Sequence, residues 1–203
     1  MFKRASLFLA ALVVVAGCSS TAPSSYPIAT GPLKPEEVQL SGFGGVGLAS
    51  KVFDVVNQDL TAASSTGIAG PVQPMPVDVL SSYAASKFRA QGGIYTARFV
   101  IKKANLDVRA VQPPKSDGWF SMGGDEPKAE ISVDLSVMLM ATKPDGTGAT
   151  INATTQQSQQ TTFTGTPEEH RAVYLQLMAK AIAAIDGEIS RQIPAYFNNV
   201  VAR

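Results

Sequence analysis

One histidine, one cysteine and 16 scattered carboxylates are what this 203-residue chain offers for acid–base, nucleophilic or metal chemistry. His170 follows Glu168 and Glu169 in the run Thr166-Pro167-Glu168-Glu169-His170. A metal ion needs three or four ligands, and one imidazole with two surface glutamates does not supply them. A solvent-facing helical position is therefore the expectation for His170. The chain contains no Gly-x-Ser-x-Gly elbow and no Ser-x-x-Lys pair. Hydrolysis by paired carboxylates needs two acids to converge in space, and no local spacing selects such a pair. Gly42, Gly44 and Gly47 satisfy Gly-x-Gly-x-x-Gly, a pattern that cradles a dinucleotide phosphate when it sits inside a parallel βαβ fold. No succession of βαβ units follows it here, and Leu48 stands where a phosphate loop needs lysine. The expectation is a flexible glycine loop in a protein that is not an enzyme, with no cofactor and no metal.

The cysteine is the more informative residue. Lys3 and Arg4 form a basic start, and from Ala5 to Ala16 the chain is apolar apart from Ser6. That run is too short for a membrane span, which needs about 20 apolar residues, and it suits the hydrophobic region of a secretory signal. It ends in Val15-Ala16-Gly17-Cys18, which resembles the bacterial lipobox. The resemblance implies cleavage before Cys18, a diacylglycerol on its sulfur and a further acyl chain on the new amino terminus. Several acyl chains anchor a protein stably, since each buried methylene contributes about 0.8 kcal/mol. A lone cysteine in an exported chain has no disulfide partner, so lipidation accounts for a residue that plain secretion leaves unexplained. Ser19, where an aspartate favours inner-membrane retention in such lipoproteins, implies the outer membrane and a periplasm-facing domain.

Removing residues 1–17 takes Lys3 and Arg4 from the 17 basic groups, leaving 15 against 16 acids, a net charge of −1. A chain without a basic excess is a poor match for a phosphate backbone, so nucleic acid is not an expected partner. Residues 18–36, rich in Ser, Thr and Pro, read as a flexible tether. Residues 37–203 are enough for one domain with a sizeable core.

The elements within that domain follow from periodicity. The stretch Leu48 to Leu60 favours a short strand around Val52–Val56. Pro76 suits a first helical position, Asp78 suits the first turn, and Val77, Leu80, Ala84, Phe88 and Gln91 share a helical stripe that Gly92-Gly93 should stop. Tyr95, Ala97, Phe99 and Ile101 then alternate as a strand. Past Lys102-Lys103 the apolar set changes phase to Ala104, Leu106, Val108 and Ala110, which calls for a β-bulge at the lysine pair. The Pro/Gly-rich loop from Gln112 to Lys128 carries Trp119, Phe120 and Met122, three large apolar side chains and the candidate contact for a partner. Ile131, Val133, Leu135, Val137, Leu139 and Ala141 mark the clearest strand. Lys143-Pro144-Asp145-Gly146-Thr147 is a turn, and a Thr/Gln-rich strand, polar on both faces, should follow from Ala149 to Phe163. Thr166-Pro167-Glu168-Glu169 is a capping box opening a helix to about Gln192, stopped by Pro194, with Val173, Leu177, Ala181, Ala184, Ile185 and Ile189 on its buried stripe.

This order implies an α+β two-layer sandwich: an antiparallel sheet of about four strands with both helices on one face. The lipobox, the tether and the succession β-α-β-β-β-α look like small outer-membrane lipoproteins. The lipopolysaccharide-assembly lipoprotein that plugs an outer-membrane barrel is one such family, and the auxiliary lipoproteins of lipid-trafficking ABC systems are another. Only Cys18 is carried over by motif. The resemblance implies a non-enzymatic binding or assembly factor in outer-membrane transport or biogenesis, held to the membrane by its acyl chains and meeting an envelope protein or lipid. A structural envelope lipoprotein without a specific ligand, and a hydrolase of envelope polymers, are the alternatives.

Overall fold

The computed structural model describes residues 38, 42–59, 74–111, 128–162 and 166–202. The signal segment, Cys18, the tether and the Trp119-Phe120-Met122 loop lie outside the described residues. The elements run β1 (Val46–Asn57), α1 (Pro76–Lys87), β2 (Phe88–Val111), β3 (Lys128–Thr142), β4 (Gly148–Thr162) and α2 (Pro167–Tyr196). The strands lie side by side in chain order. Helix α1 packs over β1 and β2, and α2 over β3 and β4, giving the expected α+β sandwich.

The sheet is mixed rather than wholly antiparallel. Strands β2, β3 and β4 form an antiparallel meander, but β1 runs parallel to β2. The reason is α1: a helical crossover carries the chain back along the sheet, so the strands on either side of it point the same way.

Helix α1 ends earlier than its stripe implied. It stops at Lys87, and Phe88 turns into β2 with extended backbone. Phe88 is buried and packs 6.1 Å from the Phe99 ring and 6.4 Å from that of Tyr83, so the last residues of the helical stripe are used by the sheet. Gly92 and Gly93 then lie inside β2 at φ +83° and +134°. They form an irregular stretch where the β1 register passes from Leu48↔Ala90 to Ser50↔Tyr95. A Cβ on Gly93 would lie 2.2 Å from the carbonyl oxygen of Ala49, so this glycine serves a close backbone approach rather than a helix stop.

The second bulge is where the change of phase placed it. The β2–β3 register skips between Ile101 and Lys103, which keeps Ile101 and Ala104 both on the helix-covered face. Asp59 closes the gap, its Oδ2 accepting from the Ala104 N–H at 2.6 Å. The alternating residues Ile131 to Ala141 of β3 are all buried, as their period requires.

Strand β4 is less solvated than its composition suggested, because Ile151 and Ala153 are fully covered. Thr166 caps α2 as expected: its hydroxyl accepts from the Glu169 N–H at 3.3 Å, and Glu169 Oε2 accepts from the Thr166 N–H at 2.7 Å. Pro194 does not stop the helix, which runs on to Tyr196. A proline in the last turn removes only one hydrogen bond; the Phe197 N–H still reaches Ile193 at 2.8 Å, and Phe197 is buried. The tail then returns to β1. Val201 bridges Leu48, and the Ala49 N–H donates to Val200 at 2.6 Å.

Candidate functional site

His170 is buried, not solvent-facing. Its Nε2 lies 3.1 Å from the Thr162 carbonyl oxygen, so the imidazole ties the start of α2 to the end of β4. The glycine pattern also has the wrong context. Gly42 and Gly44 lead into β1, and Gly47 lies within it, so the pattern does not open a helix as a phosphate cradle requires. Among the described residues no three His, Cys, Asp or Glu side chains gather as metal ligands. No helix among them is long and apolar enough to cross a membrane.

The surface that gathers chemistry is the sheet face the helices leave open. Alternation places Thr96, Arg98 and Val100 of β2, with Met138, Met140 and Thr142 of β3, on that face, because Tyr95, Ala97, Phe99, Val137, Leu139 and Ala141 fill the core. At the end of the sheet near the β3–β4 turn these strands form a groove of about 430 Å³. Its floor is Thr96, Met140 and Thr142, Ile94 and Pro144 supply apolar rims, and Lys51, Arg98 and Lys143 supply cations. The volume is within the usual range of ligand pockets, roughly 300–1,000 Å³.

The electrostatics of the two ends of this face differ. Away from the groove two cations are neutralised across strands, Lys103 by Asp134 and Arg109 by Glu130 at 2.7 Å, while Lys102 donates to the Asn152 side-chain oxygen at 3.3 Å. Glu130 raises the Arg109 pKa through its hydrogen bond and its charge. In the groove, Lys51, Arg98 and Lys143 form no ion pair among the described residues. Asp54 stands opposite Arg98 in the register without bonding to it. Asp145, two residues from Lys143, is held by its own turn. Its Oδ1 accepts from the Thr147 hydroxyl at 2.6 Å and from the Thr147 N–H at 2.8 Å, and these bonds lower its pKa. Lys143 instead lies 5.7 Å from the Tyr95 ring centroid, a cation–π distance. Ile94 and Val52, 57% and 47% exposed, add apolar surface to this end of the open face. Three unpaired cations beside exposed aliphatic groups suit an anionic, partly apolar ligand or a partner with such a surface.

None of the groove's cations was singled out in the sequence. Lys51, Arg98 and Lys143 are far apart in the chain, and only the pairing of β1, β2 and β3 brings them together. Arg98 had one available signal: it is a polar member of an alternating strand, and so belongs to the face opposite the core.

No known family profile and no curated protein matches the chain. Solved structures of low similarity exist. A minor lipoprotein from Acinetobacter baumannii aligns at 15% identity over 77% of this chain and 98% of its own, with a TM-score of 0.34. Rare lipoprotein B from Shewanella oneidensis aligns at 7% identity over 71% of this chain and 96% of its own, TM-score 0.35. An uncharacterized lipoprotein B from Nitrosomonas europaea aligns at 15% identity over 75% and 90%, TM-score 0.40. A likeness of this depth carries no argument about function.

Proposed function

We propose that this chain is a lipid-anchored protein of the bacterial outer membrane, facing the periplasm. In this reading it acts as a non-enzymatic binding or assembly factor in envelope transport or biogenesis. The lipobox resemblance at Cys18 supports the address. The observation that carries the activity is the groove on the open sheet face, where Lys51, Arg98 and Lys143 form no ion pair among the described residues while Lys103 and Arg109 are neutralised. A cationic groove with apolar rims binds by charge and by burial of aliphatic surface. It has no need of a reacting group, and it suits an anionic envelope lipid or an acidic protein surface.

Complementation of a deletion strain tests both parts. Lys51→Glu with Arg98→Glu inverts the groove charge without touching the core, and should leave a lipidated, folded protein that fails to restore outer-membrane permeability. Cys18→Ala should abolish lipid incorporation and release the protein from membranes. If the groove variant complements as well as the unmodified chain, the binding role of this face is wrong. If Cys18→Ala is processed and fractionated as before, the anchor is wrong.

A further inference from the structure

The outer edge of β4 is an open pairing surface. A sheet edge exposes alternate backbone N–H and C=O groups, and proteins ordinarily blunt it with charge, proline, a bulge or a covering segment. Strand β4 has none of the first three: its 15 residues GATINATTQQSQQTT contain no charged side chain and no proline. Its register against β3 is unbroken from Gly148 to Thr162. The opposite edge is protected, since β1 carries Lys51 and Asp54, its register is irregular, and the C-terminal tail covers its first half.

The phase of the β4 edge is fixed at three places. In the turn, the Lys143 N–H donates to Thr147 at 2.7 Å, so odd-numbered residues of β4 bond toward β3 and even-numbered ones point their backbone outward. The outward carbonyl of Asn152 accepts from Gln192 Nε2 at 3.0 Å. That of Thr162 lies 3.1 Å from His170 Nε2. Helix α2 therefore caps the edge at two points, and between them the outward backbone groups of Thr154, Gln156, Ser158 and Gln160 have no backbone partner among the described residues.

The two capped residues are equidistant from Gln157. From this symmetry we infer that the β4 edge pairs with the β4 edge of a second copy of this chain, antiparallel, with the two-fold axis at Gln157. That axis pairs Gln156 with Ser158 and Thr154 with Gln160, and it lays the capped Asn152 opposite the capped Thr162 of the second copy. All four open residues of each copy thus find partners, and the ladder ends at the two capped positions, whose carbonyls already hold an α2 side chain. The uncharged ladder meets itself without like-charge repulsion, which a strand carrying net charge does not do. The pairing is isologous and closes at two copies, because the β1 edge is occupied over its first half. The product is a continuous eight-stranded sheet with both open faces on the same side. This inference stands independently of what the groove binds.

The test uses the full chain, in membranes and in detergent. Gln157→Cys places two thiols across the axis, where a non-hydrogen-bonded antiparallel pair brings Cα atoms to about 4.5 Å, within disulfide range. Mild oxidation should give a covalent dimer. Thr161→Cys, which faces Ala153 of the second copy, should give no more covalent dimer than the unmodified chain. The unmodified chain should show twice the monomer mass in detergent, corrected for bound detergent. Ser158→Pro, which removes only an outward N–H, should show the monomer mass with an unchanged far-UV CD spectrum. A monomer that does not cross-link through Gln157→Cys overturns the inference. So does equal cross-linking of both cysteine variants, or a Gln157→Cys adduct to a different protein.

Discussion

Removing the Asp186 carboxylate should cost more stability than any change on the open face. Asp186 of α2 receives two contacts from α1: Lys87 Nζ at 2.8 Å and the Tyr83 hydroxyl at 2.9 Å. The Lys87 side chain is 5% exposed and that of Asp186 is 16% exposed. In Asp186→Ala the ammonium stays in the cleft between the helices without its counter-charge, and the Tyr83 hydroxyl loses its acceptor. Breaking a buried pair from one side typically costs about 3–5 kcal/mol. The partial exposure of Asp186 lets water reach the site, so the expected loss is at the low end, about 3 kcal/mol. For a domain of this size that lowers Tm by roughly 6–12 °C, at about 2–4 °C per kcal/mol. Lys87→Met leaves a carboxylate that keeps the Tyr83 hydrogen bond and some water, and should cost less. The pair Lys87→Met with Asp186→Leu should recover most of the loss, since apolar replacement of both partners is often close to neutral. Urea unfolding followed by CD at 222 nm gives all three values and their coupling. A loss below about 1 kcal/mol for Asp186→Ala, in the range of an exposed pair, would mean that Lys87 is not held as a buried charge.

Two further outcomes follow from the core. Tyr83 and Tyr174 both have raised pKa values, chiefly because burial disfavours the phenolate, and secondarily through the charges of Asp186 and Asp78 respectively. A pKa higher in the folded than in the unfolded chain contributes stability that is intact below the unfolded value near 10 and is lost as pH rises above it. Absorbance at 295 nm should therefore show two of the five tyrosines ionising only with alkaline unfolding; smooth ionisation of all five in the native state would contradict this. Gly93→Ala forces a side chain onto φ +134° and into the Ala49 carbonyl, and should destabilise by more than the roughly 0.4–1 kcal/mol by which an unstrained Gly→Ala change stabilises. Gly146→Ala, also at positive φ but with open space around it, is the comparison that isolates the steric part.

The parts of this fold legible in the sequence were those set by local period or local chemistry. The strict alternation from Ile131 to Ala141, the change of phase at Lys102-Lys103 and the Thr166–Glu169 capping box each determine backbone geometry within a few residues. What was not legible depended on distant partners. Parallel pairing of β1 follows from where α1 crosses, and Gly92-Gly93 looks like a helix stop until Ala49 is placed against it. His170 looks exposed until the end of β4 arrives beneath it. The groove was the least legible, because its three cations come from three separate segments and each alone resembles an ordinary surface charge. Cys18 and the Trp119, Phe120 and Met122 loop lie outside the described residues, so lipidation and the loop's contact role rest on the sequence.

In the proposed reading, the open sheet face is where this protein meets its ligand or partner. A photo-reactive side chain at Thr96, on the floor of the groove, reports on it directly in intact cells. A second at Ala183, on the exposed side of α2, serves as the reference. Thr96 should give a defined adduct to an envelope protein or lipid, lost when Lys51 and Arg98 are both changed to Glu, and Ala183 should give none. Absence of any adduct from Thr96, or equal adducts from both positions, would contradict it.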